Sequence, residues 1–257
     1  FASQQLNSIN PNRYPEEFRG TPVRSQIIQA QELLNQASIL TKDAKPLLEA
    51  APFILGIDKK RTYLTIFQND AELRPTGGFM TAYALLEMQK AKVRPLFSDD
   101  IYALDAKYNP TLRAPDALIK YISFPYQKDT RWRLRDMNMS PDFRSSMETF
   151  LPEYKKTSSP KVDGVISVDT QVLLDLLRVI GPIGVPGQGN FSAETDKRCN
   201  CPVVIYELES IISVETPYVR DYRKAILGPL MNSIIANPVA QPKEKIAPLF
   251  QVVLKAI

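Results

Sequence analysis

The sequence predicts an α/β domain with a helical start, and three observations predict it. Two β-type runs rich in aromatic and branched residues, Tyr63–Phe67 and Phe79–Leu86, flank a short polar loop. A third run, Val162–Asp169, reads Val-Asp-Gly-Val-Ile-Ser-Val-Asp and is followed by an apolar helical stretch, Gln171–Ile180, and a short strand, Ile183–Val185. Strand, helix and strand in that order make a βαβ-like unit. Ahead of all three lies an apolar stripe, Ala30, Leu33, Ala37, Leu40, Ala44, Leu47 and Ala51, spaced alternately by three and four. Residues 1–55 are therefore expected to form a loop and a helical segment, and residues 56–257 one α/β domain.

The elements follow in chain order. Residues 1–21 are polar and punctuated by Pro11, Pro15 and Gly20, and Pro22 suits the first position of a helix. The heptad-like stripe predicts a helix as far as about Lys45, where Pro46 breaks it, and a shorter helix to about Leu55. Such a pair either packs on the domain or forms a stalk or dimer seam. After the first two strands, Lys92–Phe97 and Ile101–Leu104 read as further strand pieces, with Asp99 and Asp100 on the turn between them. Pro115–Ile122 suits a short helix. Arg131-Trp132-Arg133-Leu134-Arg135 alternates charge with apolar bulk and reads as strand or extended loop. Ser145–Lys155 is helical, bent or ended by Pro152. Asp169 or Thr170 caps the apolar helix that Gly181-Pro182 stops. Val203–Ser213, Tyr218–Ala236 and Lys243–Ile257 read as helices.

Composition closes off several chemistries. Histidine is absent, which removes Ser-His-Asp and Cys-His catalysis and His-ligated zinc. A net charge of +4 with both signs spread through the chain is too weak for a nucleic-acid footprint. No Gly-x-x-x-x-Gly-Lys or Gly-x-Gly-x-x-Gly is present. No apolar run approaches the ~18 residues of a membrane span. The chain opens on Phe1, so we expect a fragment or processed form whose signal or anchor lies upstream. Cys199 and Cys201, in Arg-Cys-Asn-Cys-Pro, are expected as two free or semi-buried thiols, with a strained disulfide as the alternative. Two glycosylation sequons, at Asn138 and Asn190, carry no weight.

Two loops attract attention. The first runs from Asn69 through Asp70, Glu72, Arg74, Pro75, Thr76, Gly77 and Gly78. Pro75 stiffens it, and the glycine pair permits positive φ and close approach of a backbone or ligand. It is either a hairpin with solvated charges or a site where Arg74 and backbone N–H groups near Gly77 and Gly78 grip an anion. The second runs from Arg135 to Phe143, with oxygen-bearing side chains at Asp136, Asn138, Ser140 and Asp142. That alternation opens like a calcium loop, but Pro141 stands at the glycine position and Met147 at the closing glutamate. An Asx-type turn, or a looser Mg²⁺ or Ca²⁺ site using Asp136 and Asp142, remains. Arg131, Arg133 and Arg135 would share one face of a strand, wanting either a neighbouring carboxylate or a phosphate.

The motifs Asn69–Met80, Leu134–Phe143, Val162–Asp169 with Gly181–Gly187, and Arg223–Met231 occur in that order. Together they resemble the bacterial family of domain of unknown function 4012, over about Leu55 to Ala236. That resemblance implies an exported envelope domain with a membrane helix before it. The family is distantly similar to the LytR-CpsA-Psr proteins, which transfer glycopolymers from a polyprenyl-diphosphate lipid to the cell wall. The similarity implies a central mixed sheet flanked by helices, arginines that hold a diphosphate, and acidic residues that hold Mg²⁺. Carried over to this chain, the catalytic roles fall to Arg74, Arg135 and Asp136. Asn69, Glu72, Thr76, Gly77, Gly78, Arg133 and Asn138 would line the site, and Asp136 and Asp142 would take the metal. Where those proteins carry Arg-Asp-Thr, this chain has Arg135-Asp136-Met137. Two functions are therefore expected: binding of a phosphorylated envelope ligand, or a non-catalytic surface or scaffolding module.

Overall fold

The computed structural model describes residues 5, 7–121, 130–187, 189–213, 229–234 and 243–255. It divides into two compact units, residues 1–58 and 59–257.

The first unit is one long helix with its leading segment folded back on it. Helix α1 spans Val23–Ile54, about 48 Å at 1.5 Å per residue. Arg24 donates to the Tyr14 carbonyl at 2.8 Å and pairs with Glu16 at 3.1 Å, while Gln31 donates to the Ile9 carbonyl at 2.9 Å. The expected break at Pro46 does not occur: both Pro46 and Pro52 lie inside α1. Each proline removes one backbone donor and crowds the preceding turn, but its fixed φ of about −65° remains helical. The side chains at 36–44 and 47, which carry most of the expected seam, lie outside the described residues.

The second unit is built on a four-stranded mixed sheet. Strands β1 (Arg61–Asn69), β2 (Phe79–Gln89), β3 (Lys92–Asp100) and β4 (Gly164–Asp169) lie in the order β3-β2-β1-β4. β1–β2 and β2–β3 are antiparallel and β1–β4 is parallel, with Thr65 opposite both Ala84 and Ile166. Asp163 sets the start of the parallel pair. Its carboxylate accepts from the Thr62 amide at 2.9 Å and from Arg61 at 3.1 Å, and its own amide donates to the Thr62 carbonyl at 2.7 Å.

Helix α2 (Ile101–Ala106) follows β3 without a turn, which corrects the expected strand there. The reason is local: Asp100 is extended, and its carboxylate accepts from the Tyr102 amide, so it caps a helix rather than turning a hairpin. Helix α3 (Asp116–Tyr121) occupies the expected place, Ile122 lying outside the described residues. Helix α4 (Phe143–Tyr154) carries Pro152 in its last turn. The sheet buries Leu64, Ile66, Tyr83 and Leu85 in one core with Ile101 and Leu104 of α2, Phe150 and Tyr154 of α4, and Leu134 and Met137.

Helix α5 (Thr170–Ile180) is capped by Asp169, whose carboxylate accepts from the Val172 amide, and stopped by Gly181 at φ 90°. Strand β5 (Ile183–Val185) then pairs antiparallel with β6 (Gly189–Phe191) in a separate ribbon. The β4–α5–β5 order therefore does not close a βαβ unit, because β5 never joins the main sheet. The parallel neighbour of β4 is β1, about a hundred residues earlier, with Tyr63 opposite Gly164 and Gln68 opposite Asp169. A second hairpin pairs β7 (Thr195–Asp196) with β8 (Cys201–Pro202) and leads into α6 (Val203–Ser213). Leu174, Leu177 and Ile180 of α5 pack with Ile183, Val185, Phe191 and Val204 in a second core. The chain is helical again at 229–234, and a 3-10 turn at Lys243–Lys245 precedes α7 (Ile246–Lys255). The rest of the helix expected over Tyr218–Ala236 lies outside the described residues. Among the described residues, no helix is long and apolar enough to cross a membrane.

Candidate functional site

The loop between β1 and β2 is closed by its own backbone. The Glu72 amide donates to the Asn69 carbonyl at 3.2 Å, the Gly77 amide to the Arg74 carbonyl at 3.1 Å, and the Phe79 amide to the Glu72 carbonyl at 2.9 Å. The Asn69 side chain accepts from the Ala71 amide at 3.1 Å. The glycines are required by the loop itself. Gly77 has φ 107° and Gly78 φ 147°, and a Cβ on Gly78 would sit 2.3 Å from the Asn69 carbonyl oxygen. The close approach that Gly78 permits is thus between two stretches of the chain's own backbone.

Two side-chain amides pin this loop from beneath. The Gln68 Nε2 group donates to Thr76 Oγ1 at 2.7 Å and to the Gly78 carbonyl at 2.9 Å. The Asn138 Nδ2 group donates to the same two acceptors, each at 2.8 Å. Gln68 comes from the bulged end of β1, and its Oε1 accepts a hydrogen bond from Ser167 on β4. Asn138 is completely buried, and its Oδ1 has no hydrogen-bond partner among the described residues. The Asx-type turn expected of Asp136 and Asn138 is not how the Asn138 amide is used. Asn138 is committed to the first loop instead.

The charged residues form a second layer. The Arg74 side chain is 13% exposed, and its Nη2 lies 3.2 Å from Glu72 and 3.8 Å from Asp136. Its guanidinium sits over the Phe79 ring, 5.2 Å from the centroid. Arg135 pairs with Asp105 of α2, reaches Asp136 at 3.6 Å, and lies over the Tyr102 ring at 4.7 Å. Asp105 also accepts from the Leu134 amide at 2.9 Å. Leu134–Asp136 is a 3-10 turn rather than a strand, so the alternation of Arg131, Arg133 and Arg135 does not place them on one strand face. Arg133 is the extended residue that opens this turn, and its carbonyl accepts from the Asp136 amide.

Two guanidinium groups thus meet three carboxylates, those of Glu72, Asp105 and Asp136. Burial pushes the Asp105 and Asp136 carboxyls above the ordinary carboxylate range, against the pull of the arginines. Asp142 stands apart from this cluster in role. It caps α4, accepting from the Ser145 amide at 2.7 Å, and that bond holds its carboxyl below the usual range. Asp136 faces arginines and Asp142 faces a helix end. Among the described residues, no three His, Cys, Asp or Glu side chains come together as a cation site.

This geometry joins the two loops, at Asn69–Met80 and Leu134–Phe143, into one structural unit. The family model described as Protein of unknown function (DUF4012) matches residues 58–198, more than half of the chain, and takes in both loops. The chain belongs to that family. No curated protein and no solved structure matches it.

Within the family segment, the residues that sequence reasoning misses are Gln68, Asp105, Asp163 and Ser167. Gln68 reads as the frayed end of a strand and Asp105 as one polar residue in Ala-Leu-Asp-Ala. Only their burial, at 5% exposure each, marks them as partners of the motif residues. Cys199 and Cys201 are joined in a disulfide, which replaces the expected pair of free thiols. The intervening Asn200 has φ 56°, the left-handed turn that lets two sulfurs so close in sequence face each other.

Proposed function

We propose that this chain is a non-catalytic scaffolding module of the bacterial cell envelope, in which the two family motifs lock a pair of loops onto the sheet. The observation that carries the reading is the engagement of both arginines. Arg74 and Arg135 each face a carboxylate and an aromatic ring, and the carboxylates of the cluster outnumber them. A diphosphate would have to displace those partners and expose buried carboxylates in the same step. The internal packing of Gly78 and the use of the Gly77 amide within the loop support the same view. An oxidising, extracytoplasmic compartment would keep the exposed Cys199–Cys201 bridge formed, and that supports this location.

Thermal melting in the presence of geranyl or polyprenyl diphosphate with Mg²⁺ tests the proposal. The midpoint should not move with ligand, and Arg74→Ala should lower it equally with and without ligand. A ligand held at a hundred times its dissociation constant adds about 2.7 kcal/mol of stability. A saturable rise in midpoint of that order, abolished by Arg74→Ala, would replace the scaffold reading with binding of a phosphorylated glycopolymer precursor.

A further inference from the structure

We propose that the Cys199–Cys201 bridge is a redox-active disulfide that exchanges with dithiols, and not a structural staple. The bridge encloses one residue, Asn200, so the loop-closure entropy it removes from the unfolded chain is close to the least a disulfide can remove. The hairpin that carries it is held by other means. Asp196 pairs with Cys201 in the β7–β8 ladder, the Asn200 amide donates to the Asp196 carbonyl at 2.9 Å, and the Arg198 amide donates to the Asp196 carboxylate at 2.8 Å. Arg198 also bridges to Glu207 on α6 at 2.7 Å.

The surroundings suit exchange. Cys199 is exposed, as are its neighbours Lys197, Arg198 and Asn200, so a thiolate can reach its sulfur. Cys201 is half-buried and lies two residues before α6, an eleven-residue helix whose N-terminal end favours negative charge. Its amide donates to Cys199 Sγ at 3.2 Å, a contact that strengthens when that sulfur becomes a thiolate.

The chemistry balances with a dithiol as the reductant. One thiolate of the dithiol attacks Cys199 Sγ, the Cys199–Cys201 bond breaks, and Cys201 leaves as a thiolate that takes a proton from solvent. The second thiol of the same molecule, deprotonated by solvent, attacks its own sulfur in the mixed disulfide. Cys199 is released as a thiolate, and the dithiol departs as a disulfide. Run in reverse, the bridge is restored by an oxidised partner, so the natural exchange partner is a protein or small molecule with two nearby thiols.

The folded full chain is incubated with dithiothreitol or a glutathione buffer, alkylated and weighed by mass spectrometry, with circular dichroism and melting in parallel. The expected result is two alkylated cysteines, with the spectrum and melting midpoint unchanged. In single variants treated with oxidised glutathione, Cys201→Ser should capture glutathione on Cys199 about tenfold faster than Cys199→Ser captures it on Cys201. The proposal is overturned by a bridge that resists reduction until urea unfolds the chain. It is equally overturned by a melting midpoint that collapses on reduction, by alkylation without any reductant, or by equal capture in the two variants.

Discussion

Asn138 donates a hydrogen bond to the carbonyl oxygen of Gly78, sixty residues earlier in the chain, across 2.8 Å of fully buried space. The same amide reaches Thr76 Oγ1, and Gln68 approaches both acceptors from the sheet. Four hydrogen bonds from two amides therefore converge on one carbonyl and one hydroxyl, and the loop has no freedom to lift without stranding them. This makes the junction of the two motifs a buried polar network, and such networks are costly when half-satisfied.

Removing one amide should show that cost. Asn138→Ala deletes two donors to buried acceptors and should lower stability in urea unfolding by about 2–3 kcal/mol. Gln68→Ala should cost a comparable amount. Because both act on the same acceptors, each single variant leaves Thr76 Oγ1 and the Gly78 carbonyl one partner, and the double variant, which strands both, should cost clearly more than the sum of the singles. Strict additivity would mean that the two amides do not share a network.

The glycine pair offers a sharper contrast. A methyl group on Gly78 meets the Asn69 carbonyl oxygen at 2.3 Å and the Asp70 nitrogen at 2.8 Å, both backbone atoms that cannot rotate away. A methyl group on Gly77 meets nothing within 4 Å among the described residues and suffers from its positive φ. Gly77→Ala should cost about 1–2 kcal/mol, and Gly78→Ala more than about 3 kcal/mol or loss of folding. Equal losses in chemical denaturation would show that the loop relaxes and that the close approach is not obligatory.

How much of this is legible in the sequence depends on whether the decisive force is local. β1, β2 and β4 are legible because branched and aromatic runs bounded by polar turns have few other uses. The α5 cap at Asp169 and its stop at Gly181 follow from chemistry within a few residues. Ile101–Leu104 misleads, because four apolar-leaning residues fit a strand or a helix, and the cap at Asp100 decides. Pro46 misleads because a proline weakens a helix without forbidding it. The motif loops announce themselves through their charges and glycines, but their partners do not. Nothing near Asp105 in the sequence says that it will meet Arg135, thirty residues on, since only the packing of α2 beside the 3-10 turn brings them together.

That pairing makes its own prediction. Asp105 is 5% exposed and holds Arg135 together with the Leu134 amide. Arg135→Met leaves a buried carboxylate without its cation and should cost about 3 kcal/mol in urea unfolding. Asp105→Asn retains an acceptor oxygen for the Leu134 amide while removing the charge. The double variant Asp105→Asn/Arg135→Met should therefore recover most of the loss, as measured by the same unfolding curves. A double variant as unstable as Arg135→Met alone would show that Arg135 acts through packing on Tyr102 and not through its charge.

Asp136 and Asp142 should titrate with opposite effects on stability. Burial raises the Asp136 carboxyl despite Arg135 and Arg74, so the native state holds that proton more tightly than the unfolded chain. Its contribution is full below the unfolded value of about 3.9 and is lost as pH rises through the folded one. Asp142 is lowered by its bonds from Ser145, so its contribution is full above about 3.9 and is lost as pH falls through its folded value. Asparagine titrates at neither position, which lets each contribution be isolated by subtraction. Urea unfolding of the native chain, Asp136→Asn and Asp142→Asn from about pH 3 to about pH 7 runs to both sides of the unfolded value. The stability of the native chain relative to Asp136→Asn should fall with rising pH, and relative to Asp142→Asn it should rise. Two slopes of the same sign would show that the pull of Arg135 and Arg74 outweighs burial and holds the Asp136 carboxyl ionised, whereas no slope at all would place it in water, outside the arginine cluster, and would reopen Arg74 to an external anion.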